Sequence, residues 1–335
     1  NWVNDGLFEV SNGTLNLGGT FTIAGLGAFN RTGGTVQLTG WWDFSGGTLD
    51  LAAAPIPGEW TINAGALKNV TLISSDPSKV LASTGGNFSS LDNVTIGSDL
   101  TTSGIWNIHN GLDLADGVTL SASTSRYDFQ GGGTQAVNVL PKPDASPGTA
   151  TISLAGGQIN NPVSNQTLIL GNGLTVNGYG RVGDNSSNAS TLINVGVIDA
   201  NVAGQTLGVG HYYSNDAVVN NGTIKASAGN LGIYSGTITN AGSILASAGT
   251  TTLGSSGYTN MVNNTGSIVV NGGTLVFGPK ETGTTPTWDN NGTLDLQSGT
   301  VKFGGFFTPA EVANFTRAAG TTVKLIGVAD FGGMT

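Results

Sequence analysis

The stretch Asn220-Asn221-Gly222-Thr223-Ile224-Lys225-Ala226-Ser227-Ala228-Gly229 decides the fold. Its first three residues form a turn, because Asn and Gly accept tight bends at least cost. The remainder alternates: Ile224, Ala226 and Ala228 are apolar, while Thr223, Lys225 and Ser227 are polar. A period of two sends successive side chains to opposite faces. This is a short half-buried strand, bounded by two glycine corners expected to take up positive φ. A second short strand follows, carrying Leu231 and Ile233.

The same unit recurs on either side of that stretch. Asn-x-Gly followed two residues on by Ile or Leu stands at Asn194/Gly196, Asn220/Gly222, Asn240/Gly242, Asn264/Gly266 and Asn290/Gly292, at intervals of 26, 20, 24 and 26 residues. In the last four units a second glycine follows nine residues after the Asn, at Gly229, Gly249, Gly273 and Gly299. A unit so short cannot bury its apolar face alone, so coils must stack about 4.8 Å apart through main-chain hydrogen bonds. The expected fold is all-β: a parallel β-helix, or β-solenoid, with coils of 20–26 residues. Hexapeptide periods are absent, which favours a right-handed coil. The corner asparagines are expected to stack into amide ladders.

A longer period encloses this one. Trp2 matches Trp288, Asn4 matches Asn290, Gly6 matches Gly292, Phe21-Thr22 matches Phe307-Thr308 and Arg31 matches Arg317, each 286 residues apart. Over residues 1–35 this ungapped register gives 14 identities, far above the roughly one in ten positions that chance would give in so biased a composition. After one inserted residue, placed at Thr322, the match runs on through Val36/Val323 and Asp43/Asp330, making residues 1–49 equivalent to 287–335. The chain is therefore expected to be one continuous solenoid, residues 1–335, built on a 286-residue super-repeat. Neither end carries a polar cap, and further repeats are expected on both sides. With coils of about 22 residues, one super-repeat would advance by roughly 60 Å.

Elsewhere the signal is weaker. Residues 35–135 keep strand starts such as Gly46 to Leu49, but irregularly. Residues 136–165 are expected to be an irregular excursion, since Pro141-Lys142-Pro143-Asp144-Ala145-Ser146-Pro147-Gly148 breaks any strand. A helix of one or two turns is expected over Pro309 to Arg317, with Thr308 as its cap.

Composition narrows the function. Only 9% of residues are charged and the net charge is −9, with four Arg and seven Lys scattered singly, so no basic patch awaits a nucleic acid. Cysteine is absent, which removes disulfides and thiolate metal sites. No apolar run approaches the roughly 20 residues that cross a bilayer, so no membrane insertion is expected within the chain, and any export signal is expected outside it.

The Asn-x-Gly-Thr-Ile units and the stretch Phe29-Asn30-Arg31-Thr32-Gly33-Gly34-Thr35-Val36 resemble the repeats of giant bacterial surface proteins, the filamentous-haemagglutinin-type adhesins and autotransporter passenger domains. The resemblance covers residues 1–50 and about 166–335, is weak over 51–135 and is absent around 136–160. It implies a β-helix, export to the cell surface and a role as stalk, fibre or adhesin. It carries no catalytic residues to transfer.

A search for chemistry finds little. Carbohydrate-active β-helices need clustered carboxylates, yet the chain has four Glu, at 9, 59, 281 and 311. Asp113 with Asp116, near His109, is the nearest cluster, but Asp116-Gly117 has the form of a turn and Asp113 of an outward strand residue. Gly178 to Gly183 satisfies GxGxxG without the helix that would bind phosphate, and is expected to be a solenoid corner. No catalytic residue, metal site or cofactor is expected. The candidate contact residues are Trp41 and Trp42, which cannot both point inward, and His211, Tyr212 and Tyr213 in an apparent exposed loop. Partners are expected to be further copies of the same solenoid, by end-to-end stacking and by lateral contacts through loops such as 140–148 and 208–216, and surface glycans if the chain is an adhesin.

Overall fold

The computed structural model describes residues 1–86, 89–183, 189–211, 216–254, 261–278 and 287–330. It is a β-solenoid of about 12 turns, nearly all parallel β. Contacts divide the chain into two compact units, Asn1–Gly131 with Gln135–Gln158, and Gly132–Thr134 with Ile159–Thr335.

In the second unit each coil presents its strands to the next in fixed order. Ala217–Asn220 pairs with Thr237–Asn240, and Thr223–Ala226 pairs with Ser243–Ala246, all in parallel. Ile198, Ile224, Ile244, Ile268 and Leu294 stack in register, each fully buried. Burying each such side chain stabilises the fold by about 1.5–3 kcal/mol, and the stack needs no residue beyond its nearest neighbours. In the founding stretch Ile224 and Ala226 are buried, whereas Ala228 is half-exposed, because the strand ends at Ala226.

The first unit uses longer strands: Ala66–Ile73, Ser90–Ile96 and Ile105–Leu114. Each turns from one face to the next at an asparagine in the left-handed region, Asn69 (φ 50°), Asn93 (φ 55°) and Asn110 (φ 61°). Asparagine tolerates that conformation better than other residues with a Cβ. Their amides also stack: Asn69 Nδ2 donates to Asp43 Oδ1 at 3.1 Å, and Asn93 Nδ2 to Asn69 Oδ1 at 2.9 Å. The core of this unit holds Phe21, Trp42, Trp106, Tyr127 and Phe129.

The 286-residue period reappears as shared local geometry in the two units. Trp2 Nε1 donates to Gly18 O at 2.7 Å, and Trp288 Nε1 to Gly304 O at 3.1 Å. Trp2 stacks on Phe21 at 4.5 Å and Trp288 on Phe307 at 5.0 Å. Thr22 caps a helical turn, Ile23–Leu26, as Thr308 caps Pro309–Val312. Pairing moves the inserted residue: Thr14 pairs with Thr35 but Thr300 with Thr322, so the extra residue is Thr321, not Thr322.

Three expectations need correction. The helix expected over Pro309 to Arg317 is a single 3-10 turn ending at Val312, because Phe315–Arg317 pairs as a strand with Leu294, Asp295 and Leu296. The irregular excursion is narrower than 136–165: strands Thr134–Val139 and Ala150–Asn160 leave the short turn at 161–165 and the exposed turn between them, where Asp144 Oδ1 accepts from Ser146 N and Oγ. Within 208–216, expected as a loop, residues 208–210 complete the strand Thr206–Gly210.

Candidate functional site

The repeated asparagines form one buried row. Asn194 Nδ2 donates to Asn220 Oδ1 at 2.8 Å, Asn220 to Asn240 at 2.7 Å, Asn240 to Asn264 at 2.7 Å and Asn264 to Asn290 at 2.6 Å. The second amide proton of Asn220 reaches Ser243 O of the following coil at 3.0 Å, and Asn194, Asn240 and Asn264 donate likewise to Thr223 O, Ser267 O and Thr293 O. Each backbone carbonyl is also shared: Asn220 O accepts from Ala241 N and Gly242 N, both at 2.9 Å. Side chain and main chain thus both tie one coil corner to the next. The row begins at Asn194, whose Oδ1 is buried without a hydrogen-bond partner because Leu170 occupies the matching place in the preceding coil.

The glycines of this motif are needed for a reason other than positive φ. Gly222, Gly242, Gly266 and Gly292 do not adopt it; a Cβ on each would lie 2.1–2.2 Å from the carbonyl oxygen of the glycine one coil earlier. Gly196 is barred in the same way by Leu174 O, at 2.2 Å. Of the second set, Gly249 (φ 51°) and Gly299 (φ 93°) bend through positive φ, whereas Gly229 and Gly273 are again fixed by close approach to carbonyls.

The candidate contact residues separate. Trp42 is fully buried, stacked on Phe21 at 5.6 Å, and Trp41 is 42% exposed with Lys68 Nζ 5.9 Å from its ring centre. His211, expected in an exposed loop, is buried, with Nδ1 4.0 Å from Asp216 Oδ2. Burial, reinforced by the Arg181 charge, lowers its pKa. Tyr212 and Tyr213 lie outside the described residues.

The carboxylates of the Asp113–Asp116 cluster have local structural partners. Asp113 Oδ1 accepts from Asn138 Nδ2 at 3.0 Å and Asp116 Oδ1 from Thr149 N at 2.8 Å. Gly178 to Gly183 lies along the strand Leu174–Val182 and its end, turning between a segment paired with Val197–Asp199 and one paired with Thr206–Gly210. Among the described residues no group of three or more His, Cys, Asp or Glu side chains is placed to hold a metal ion. Among them, too, no helix is long and apolar enough to cross a membrane.

One concavity was not foreseen from the sequence. In the first unit the strand Trp60–Ile62 is joined to the next coil by one bridge, Ile62 to Ser83, rather than by a ladder with Val80–Ala82. The two strands splay, and a cleft of about 360 Å³ opens beside Trp60.

No protein-family model, no curated protein and no solved structure matches the chain.

Proposed function

We propose that this chain is a non-catalytic structural repeat of an extracellular fibre or stalk on a bacterial surface, in which 286-residue units follow one another as stacked coils. The observation that carries this reading is the super-repeat: two segments 286 residues apart share the Trp–Gly hydrogen bond, the Trp–Phe stack and the capped turn. Tandem copies that agree in such detail serve a role in which length itself is the product. The surface fits that role, since low charge and abundant amides and hydroxyls give a coil face that needs no specific ligand. Further copies of the same chain are the expected partners.

The test is electron microscopy of a chain carrying three super-repeats. With about 12 turns in 335 residues, each super-repeat comprises about ten, and unbranched filaments with an axial period of roughly 50 Å are expected. This is shorter than the 60 Å expected from 22-residue coils, because the loops lengthen many turns. Compact particles without an axial period would overturn the reading.

A further inference from the structure

We propose that the cleft beside Trp60 binds a neutral pyranose, either a hexose or an N-acetylhexosamine. This assignment does not depend on the fibre reading.

The cleft has a specific origin. The strands Thr35–Leu38 and Trp60–Ile62 pair as a ladder, but Trp60–Ile62 meets the following coil through the single bridge Ile62 to Ser83, and the gap left beside that bridge is lined by Glu59 and Lys79. A peptide strand could not enter, because it would need ladder spacing on both sides along its length. A single ring fits, and the volume of about 360 Å³ lies at the small end of ligand sites.

The lining is that of a sugar site. Trp60, half-buried and in T-shaped contact with Trp42 at 5.8 Å, provides an aromatic wall beside the exposed Val80. Aromatic walls suit the C–H face of a pyranose, and the ring's hydroxyls then need polar partners at the edge. Glu59 and Lys79 line the cleft and supply an acceptor and a donor.

The rim is also held in place. Arg31 donates to Pro57 O at 3.1 Å and to Glu59 O, and braces itself on Gly34 O at 2.6 Å, so the loop before Trp60 is fixed without a ligand. Such preorganisation lowers the ordering cost of binding. The net charge of −9 disfavours a polyanionic glycan, and glycoside hydrolysis needs a carboxylate pair where Glu59 is the one carboxylate lining the cleft.

The experiment is saturation-transfer NMR with titration calorimetry on the full chain, using glucose, galactose and N-acetylglucosamine oligosaccharides, with heparin as the polyanionic comparator. Saturable binding of one neutral sugar is expected, weakened about tenfold or more by Trp60→Leu and severalfold by Lys79→Ala. Trp41→Ala should leave it unchanged. Lys79→Ala alters only the rim, so it reports on the site even if Trp60→Leu disturbs packing against Trp42. Absence of saturable binding to every neutral sugar, binding of heparin alone, or binding lost in Trp41→Ala but kept in Lys79→Ala would each overturn the assignment.

Discussion

Replacing Asn240 by alanine removes a donor and an acceptor from the middle of the buried row. Asn220 Nδ2 loses its acceptor, while Asn264 Oδ1 and Ser267 O lose donors. Each buried group left unpaired costs about 1–3 kcal/mol, so a loss of roughly 3 kcal/mol is expected by denaturant titration. Asn194→Ala should cost about half as much, since Asn194 Oδ1 starts without a partner. Equal losses at the two positions would mean that the row does not act through its amide chain. Glycine is tested in the same way: Gly242→Ala places a Cβ 2.1 Å from Gly222 O and should be among the most damaging substitutions, whereas Gly208→Ala, whose nearest atom is 3.7 Å away, should stay within about 1 kcal/mol. His211 adds a pH dependence. Its folded pKa lies below the ordinary histidine value of 6.5, so the unfolded chain binds more protons and stability falls as pH drops below about 6.5. The pH profile of the wild-type melting temperature between pH 7 and 5 should therefore be steeper than that of His211→Gln; parallel profiles would show that His211 does not contribute. The position of His211 was not legible in sequence, because a histidine flanked by tyrosines has the composition of an exposed loop and only tertiary packing buries it.

At the scale of the strand, the matching of residues between coils matters more than the propensity of any one of them. Leu170 lies opposite Asn194, and Leu168 lies opposite Leu192 one step inward on the same strand. Both leucines are buried, so either change to asparagine gives up about 2 kcal/mol of burial and introduces a polar group. Leu170→Asn can donate to the unpaired Asn194 Oδ1 and extend the row by one coil; Leu168→Asn finds only leucine. Leu170→Asn should therefore be less costly than Leu168→Asn by at least about 1 kcal/mol, measured as the difference in unfolding free energy. The reverse order would rule out a row limited by its first partner. This level of structure was half legible. The Asn-x-Gly spacing and period-two strands identify the coils from residue 194 onward, because there one sequence unit is one coil. The left-handed asparagines at 69, 93 and 110 were missed, since a single asparagine inside a long strand has no repeating neighbour to mark it as a corner. The turn Ile23–Leu26 was missed because Gly25 lowers helix propensity, although Thr22 stands 286 residues before the recognised cap Thr308. The splayed strands beside Trp60 leave no trace in sequence, for a missing ladder is a property of two coils together.

For the whole molecule, nearest-neighbour stacking makes the coil the unit that can be added or removed. Between Asn220 and Asn240 every paired position is offset by the same 20 residues, from Ala217 opposite Thr237 through Thr223 opposite Ser243 to Leu231 opposite Thr251. Deleting residues 220–239 therefore takes out one complete coil, joins Val219 to Asn240 within a strand, and brings Asn194 against Asn240 with the amide row unbroken. Because most residues buried above and below are of the same kind, Ile198 meeting Ile244 and Val209 meeting Leu253 while Leu207 meets Thr251, the shortened chain should fold and unfold in a cooperative transition, with a small fall in melting temperature. Deleting only residues 225–234 removes half a coil. It removes the strand Asn230–Tyr234 and half of Thr223–Ala226, so the damaged coil can pair in register with neither neighbour and a cooperatively folded product is not expected. Circular dichroism and thermal melts of the two deletions decide the matter. If the complete-coil deletion unfolds as badly as the half-coil deletion, stability is not distributed coil by coil, and the additive solenoid on which a fibre of tandem super-repeats depends would have to be abandoned.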